Sequence, residues 1–268
     1  MATSASTPRN RRAGRRSPLA SAALLLIGLL ATGGAYAAIT ASSSADAASQ
    51  TQVAQLAEDG QKLFAANCAS CHGLQAQGTE DAPSLIGVGA AAVDFQVGTG
   101  RMPMAADGPQ AEEKPVQFTE AQIAALATWV ASLGPGPSIP EEQYLKGDDL
   151  PAGAELFRIN CAMCHNVAGA GGALTQGKFA PSLMGVTPKH IYEAMITGPQ
   201  NMPVFNDRNI TPEDKANIIS YLKFIENNPS PGGLDLGNLG PVSEGLFVWI
   251  FALGAIVGVT IWLTAKSN

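Results

Sequence analysis

The chain has 268 residues, 16 of them Lys or Arg and 22 Asp or Glu, and the charge is unevenly placed. Five basic residues precede Ser17 and another is Lys266, so the stretch between Ser42 and Ser243 holds 21 acidic residues against 10 basic ones. So acidic a central region argues against nucleic acid and anionic lipid surfaces as partners and suits a basic or adaptable protein surface.

Residues 1–18 form a basic segment carrying Arg9, Arg11, Arg12, Arg15 and Arg16, whereas Ser17 to Ala45 has no charge and includes the apolar run Leu19 to Leu30. A basic region followed by an apolar span targets a chain for export with its N-terminus inside the cell. The span, residues 19–41, outlasts the roughly 7–15-residue core of a signal peptide, which favours a retained membrane anchor. Ala35-Tyr36-Ala37 and Ala45-Asp46-Ala47 resemble cleavage sites and keep a removable signal open as the alternative.

From 52 to 134 the pattern is helical. Val53, Leu56, Gly60, Leu63 and Phe64 share one face and run directly into Cys68-Ala69-Ser70-Cys71-His72. Thr119-Glu-Ala-Gln122 reads as a capping box opening a helix with Ile123, Leu126, Trp129, Val130 and Leu133 on its apolar side. Residues 135–150 form a linker, stiffened by the Pro-rich stretch Gly134 to Pro140.

Residues 151–228 then repeat the first domain. Gly60-Gln-Lys-Leu-Phe64-Ala-Ala-Asn67-Cys68 matches Gly153-Ala-Glu-Leu-Phe157-Arg-Ile-Asn160-Cys161 at an offset of 93 residues, and Cys161-Ala162-Met163-Cys164-His165 completes a second pentapeptide. Ala82-Pro83-Ser84-Leu85 recurs as Ala180-Pro181-Ser182-Leu183, and Met102-Pro103 as Met202-Pro203. Thr211-Pro212 starts the closing helix, with Ile218, Tyr221, Leu222 and Ile225 on its apolar face. No convincing alternating strand pattern appears, so the chain reads as all-α.

A tether over 229–244, within the Gly/Pro/Asn-rich stretch 227–241, leads to 245–265: Gly245 to Ala265 is uncharged for 21 residues, with Trp249 and Trp262 near its ends and Lys266 beyond. That suffices for one membrane-crossing helix with its C-terminus inside. Two spans with both ends inside make a multi-pass protein of the cell membrane whose domains lie on the extracytoplasmic side.

All four cysteines fall in the two C-x-x-C-H pentapeptides, the attachment signature of haem c: two thioether links, and an adjoining histidine on the iron. Disulfides give no reason for a histidine after each pair when the chain has only three histidines. A four-cysteine zinc site spaces its knuckles by roughly 15–20 residues, far less than Cys71 to Cys161. Two covalently bound haem c groups follow, on Cys68, Cys71, Cys161 and Cys164, with His72 and His165 as proximal ligands. The repeated Met-Pro position makes Met102 and Met202 the sixth ligands, with Met104 the competitor in the first domain. Met184 and Met195 read as packing, His190 as surface or structural, and Arg101 as either a propionate partner or an ordinary surface arginine.

The arrangement resembles class I cytochrome c over residues 52 to 228, implying two tandem domains of that fold. The resemblance implies contacts of Gly60 with Trp129 and of Gly153 with Tyr221 where the terminal helices cross, and carbonyls of Pro83 and Pro181 on the proximal histidines. With both Met-Pro loops and the C-terminal anchor included, the chain is similar to the dihaem cytochrome c subunit of the actinobacterial cytochrome bcc complex, a quinol–cytochrome c reductase. That resemblance implies a cytochrome b subunit, a Rieske iron–sulfur donor and a haem–copper terminal oxidase as partners, in an electron-transferring subunit with no substrate-converting site of its own. The alternatives are a dihaem subunit of another oxidase or dehydrogenase, and a dihaem peroxidase. Met102 and Met202 argue against the peroxidase, which needs an accessible sixth position on one iron.

Overall fold

The computed structural model describes residues 18–106, 108–228 and 241–266, with the side chains of 41–48, 241 and 242 outside the description. The basic segment and most of the tether expected at 229–244 therefore lie outside the described residues. The chain divides into two units, residues 1–54 and 55–268.

Helix α1 (Pro18–Asn67) supplies the described part of the first unit. Its stretch Pro18–Thr40 is 23 residues of exposed apolar side chains, long enough to cross a bilayer.

The second unit opens on the last turns of α1, followed by the one-turn helix α2 (Ala69–His72), α3 (Gly89–Gly98) and α4 (Glu120–Ser132). Thr119 caps α4, its hydroxyl accepting from the Gln122 N–H while the Gln122 side chain accepts from the Thr119 N–H. Phe64 packs on Trp129 with ring centroids 4.4 Å apart, and Val93, Val97, Ile123, Leu126 and Val130 complete a buried core. Each large apolar side chain so buried contributes about 1.5–3 kcal/mol.

After a single 3₁₀ turn (Glu142–Tyr144) come α5 (Leu150–Asn160), α6 (Ala162–His165), α7 (Pro188–Thr197) and α8 (Pro212–Asn227). Asp149, Thr187 and Thr211 cap α5, α7 and α8 through their side-chain oxygens. Phe157, Ile191, Met195, Ile218, Ile219 and Leu222 form the second core. Lys215, wholly buried on α8, donates to the Ile210 carbonyl and to Asp207. The expectation of no strands needs one correction: β1 (Gly172–Ala173) pairs antiparallel with β2 (Phe179–Ala180), a hairpin too short to show a period of two.

Both helix crossings rest on a glycine. A Cβ on Gly60 would run into the Ala125 carbonyl and Trp129, the aromatic expected there, and one on Gly153 into the Asn217 carbonyl, one turn before Tyr221. The Gly153 contact is thus with the backbone of α8, while Tyr221 stacks on Phe157 at 5.7 Å. The Pro-rich linker is held down: the Pro137 carbonyl accepts from the Ala91 N–H at the start of α3, and farther along Gly147 and Ser220 exchange hydrogen bonds.

The C-terminal segment runs through α9 (Pro241–Val248), a wider π-type stretch (Trp249–Leu253) and α10 (Gly254–Lys266). Ser243–Lys266 is again apolar, exposed and long enough to span a membrane.

Candidate haem-attachment sites

Each C-x-x-C-H motif is folded locally by the same backbone bonds. The Cys71 and His72 N–H groups both donate to the Cys68 carbonyl, and those of Cys164 and His165 to the Cys161 carbonyl, so both thiols and the imidazole are presented from one tight turn. The chain then turns back through Gly78 and Gly171, both in the left-handed region, where the Gly78 N–H donates to His72 and the Gly171 N–H to His165. An added Cβ would meet backbone at both positions, so only glycine fits.

That return brings a proline carbonyl onto each imidazole. His72 Nδ1 donates to the Pro83 carbonyl at 2.8 Å, and His165 Nδ1 to the Pro181 carbonyl at 2.9 Å. With Nδ1 committed as donor, Nε2 carries the free lone pair, as a metal-ligating histidine requires. Burial lowers the His165 pKa, opposed by its bond to Pro181, and so favours the neutral ring. Burial, helped by the paired thiol, pushes Cys68 and Cys161 each up to about 11, so these thiols stay protonated and neutral.

Met102 packs against the first core, held by its N–H bond to the Gln96 carbonyl, while Met104 is exposed. Met202 packs against the second core and lines a cavity of about 1100 Å³ together with Cys161, Cys164, His165 and Phe157. A space of that size bordered by two thiols, an imidazole with its coordinating nitrogen free and a thioether fits a covalently attached haem.

Comparison with known proteins agrees at domain and chain level. The cytochrome c family model matches residues 57–134, and the model described as cytochrome c oxidase, cbb3-type, subunit III matches residues 148–222. The chain is 45% identical to the cytochrome bc1 complex cytochrome c subunit of Mycobacterium tuberculosis, over 97% of this chain and 95% of that one. Identity to the same subunit of Corynebacterium efficiens is 43%, over 99% and 95%. For Corynebacterium diphtheriae it is 41%, over 99% and 100%. The chain belongs to the cytochrome c subunits of the cytochrome bc1 complex. It is an electron-transfer cytochrome that binds haem c, and the complex it serves is membrane-bound.

In this cytochrome c subunit the two cytochrome c domains dock on each other. The Gln110 side chain donates to the Phe179 carbonyl and accepts from the Phe179 N–H, both at 2.9 Å, while Gln200 reaches back to the Ala111 backbone. Phe95, Thr99, Arg101 and the 110–114 segment of the first domain thereby wall the second domain's cavity. Arg101, expected as a propionate partner or surface arginine, is buried with its guanidinium 4.9 Å from the Phe95 ring centre and 3.7 Å from Glu113. No signal marks Gln110 or Gln200 in the sequence, because an amide that pairs with a distant strand looks like any surface amide.

The other half of the interface is α3 against α7. Lys189 Nζ lies 2.7 Å from Asp94 Oδ2 and His190 Nε2 3.7 Å from it, with the His190 ring edge-on to Phe95. His190 faces inward rather than lying on the open surface. Glu193, wholly buried, is pushed up to about 9 by burial and by Asp94 beside it. The fold thus holds a proton that the unfolded chain releases above its ordinary value of 4.5, so stability falls as pH rises from that value to about 9. Glu193→Gln removes this penalty. In chelator-treated protein its melting midpoint should exceed the parent's by about 3 °C or more at pH 8 and match it near pH 4, measured by thermal melts. An equal gap at both pH values would refute the shifted carboxyl.

Proposed function

We propose that this subunit carries two haem c groups and serves a quinol–cytochrome c reductase of the bcc type, taking electrons from a Rieske iron–sulfur subunit and delivering them to a haem–copper terminal oxidase. Cys68 and Cys71 hold one group and Cys161 and Cys164 the other. His72 with Met102, and His165 with Met202, would ligate the two irons. Bound haem supplies one-electron iron chemistry, and two chain ligands per iron leave no position for a substrate. The proline carbonyls fix each imidazole ring, and the thioethers favour the ferrous state. Apolar spans at both ends hold the acidic domains on the extracytoplasmic side, next to a cytochrome b subunit. What carries the reading is the pair of matching His–Pro hydrogen bonds in a chain similar over nearly its whole length to cytochrome bc1 complex cytochrome c subunits.

Purification in mild detergent with identification of co-purifying subunits tests the assembly: cytochrome b, Rieske and oxidase subunits are expected together. Histidine substitution tests the ligands. Met202→His and Met102→His should each lower the potential of one haem, because imidazole stabilises ferric iron better than a thioether. Met104→His should leave both potentials unchanged. A spectrum and potential indifferent to Met202→His would remove Met202 from the ligand set.

A further inference from the structure

We propose that Asp94, His190 and Glu193 form a site for one divalent transition-metal ion of the zinc class, joining the two haem domains. Asp94 comes from α3 of the first domain, and His190 and Glu193 from one face of α7 in the second, three residues apart. One ligand atom from each lies within 4.8 Å of the others, a spread that small side-chain rotations close onto an ion bound at about 2.0–2.2 Å.

Glu193 lacks a partner of its own. Glu193 is wholly buried and neither carboxylate oxygen has a hydrogen bond, while Asp94 is 5% exposed with Oδ2 paired only to Lys189. Two buried carboxylates side by side are strongly unfavourable unless a proton or a cation lies between them. A single proton satisfies one contact and leaves the second Glu193 oxygen and the His190 nitrogen unused, whereas an ion engages all three residues. Burial and the neighbouring ammonium of Lys189 both lower the His190 pKa, which keeps its lone pair available.

Lys189 is the competitor, 2.7 Å from Asp94 Oδ2. Its side chain is a third exposed and its stem flexible, so it can swing into water, while Asp94 and Glu193 are confined by the helices around them. An imidazole with two carboxylates selects a borderline ion such as zinc over calcium, which takes oxygen ligands only, and water completes the coordination.

The test uses the full-length, haem-loaded protein in detergent, stripped by chelator and titrated with Zn²⁺ against a chromophoric competitor. The expected result is one tightly held zinc per chain, undisturbed by excess Ca²⁺ and accompanied by a higher melting midpoint. In Glu193→Gln, and independently in His190→Gln, both the bound zinc and the added thermal stability should be lost while the haem spectrum is unchanged. A parent protein that binds no zinc, or variants that bind it as the parent does, would overturn the proposal.

Discussion

Replacing Cys161 and Cys164 together with serine is expected to halve the haem stain of the denatured protein and to unfold the second domain. The domain spans roughly 80 residues, a size at which apolar burial alone gives little stability. Its cavity of about 1100 Å³ lies against Phe157, Ile218 and Leu222, residues of the same core that holds α5 and α8 together. A group filling that space supplies apolar contact to this core, and its loss weighs on a total domain stability of only about 5–15 kcal/mol. The domain therefore collapses or melts. The loop around Gln110, which pairs with the Phe179 backbone, loses its partner and becomes open to protease. The measurements are haem stain, helical circular dichroism and limited proteolysis between residues 104 and 116. Full stain in the double variant would rule out thioether attachment at these cysteines.

What was legible in the sequence follows the range of the interactions. The capping box at Thr119, the start at Thr211-Pro212, and the apolar faces through Phe64 and Trp129 are local patterns, and the helices lie where those patterns put them. The duplication carried further, because two copies of Ala-Pro-Ser-Leu after two C-x-x-C-H motifs point to one loop used twice, and the loop closes on the histidine in both. Helices α3 and α7 were harder to see. Gly89–Gly98 is mostly small and apolar, with no polar face to set a period of 3.6, and its burial against α4, the linker and α7 stabilises it. Docking of the domains was not legible at all. Lys189 and Glu193 look like an ordinary solvated helix face until α3 brings Asp94 against them. Gly153 illustrates the same limit: the need for a glycine was clear, but the backbone it meets, Asn217, depends on how α5 crosses α8.

Serine at both Cys68 and Cys71 is expected to abolish quinol-driven oxygen consumption while the second domain keeps its covalent haem. Electron transfer falls steeply with distance, so two attachment sites can act in series only if the domains are held together, and the interface does this. Phe95, Arg101 and the 110–114 segment wall the second cavity, and Arg101 adjoins Met102, the expected ligand in the first domain. The linker cannot let the domains drift, since Pro137 is bonded to the start of α3 and Gly147 to α8. Removing the first site leaves a gap the width of a domain in that series. Co-purification of the cytochrome b subunit would verify that the variant still assembles, and the spectrum of the remaining haem would verify that the second domain is intact. Rapid reduction with quinol then gives the order: an unimpaired rate at the remaining haem places the second domain first in the series, and a lost one places it second. Oxygen consumption at the parental rate in an assembled variant would show that the two sites do not act in series.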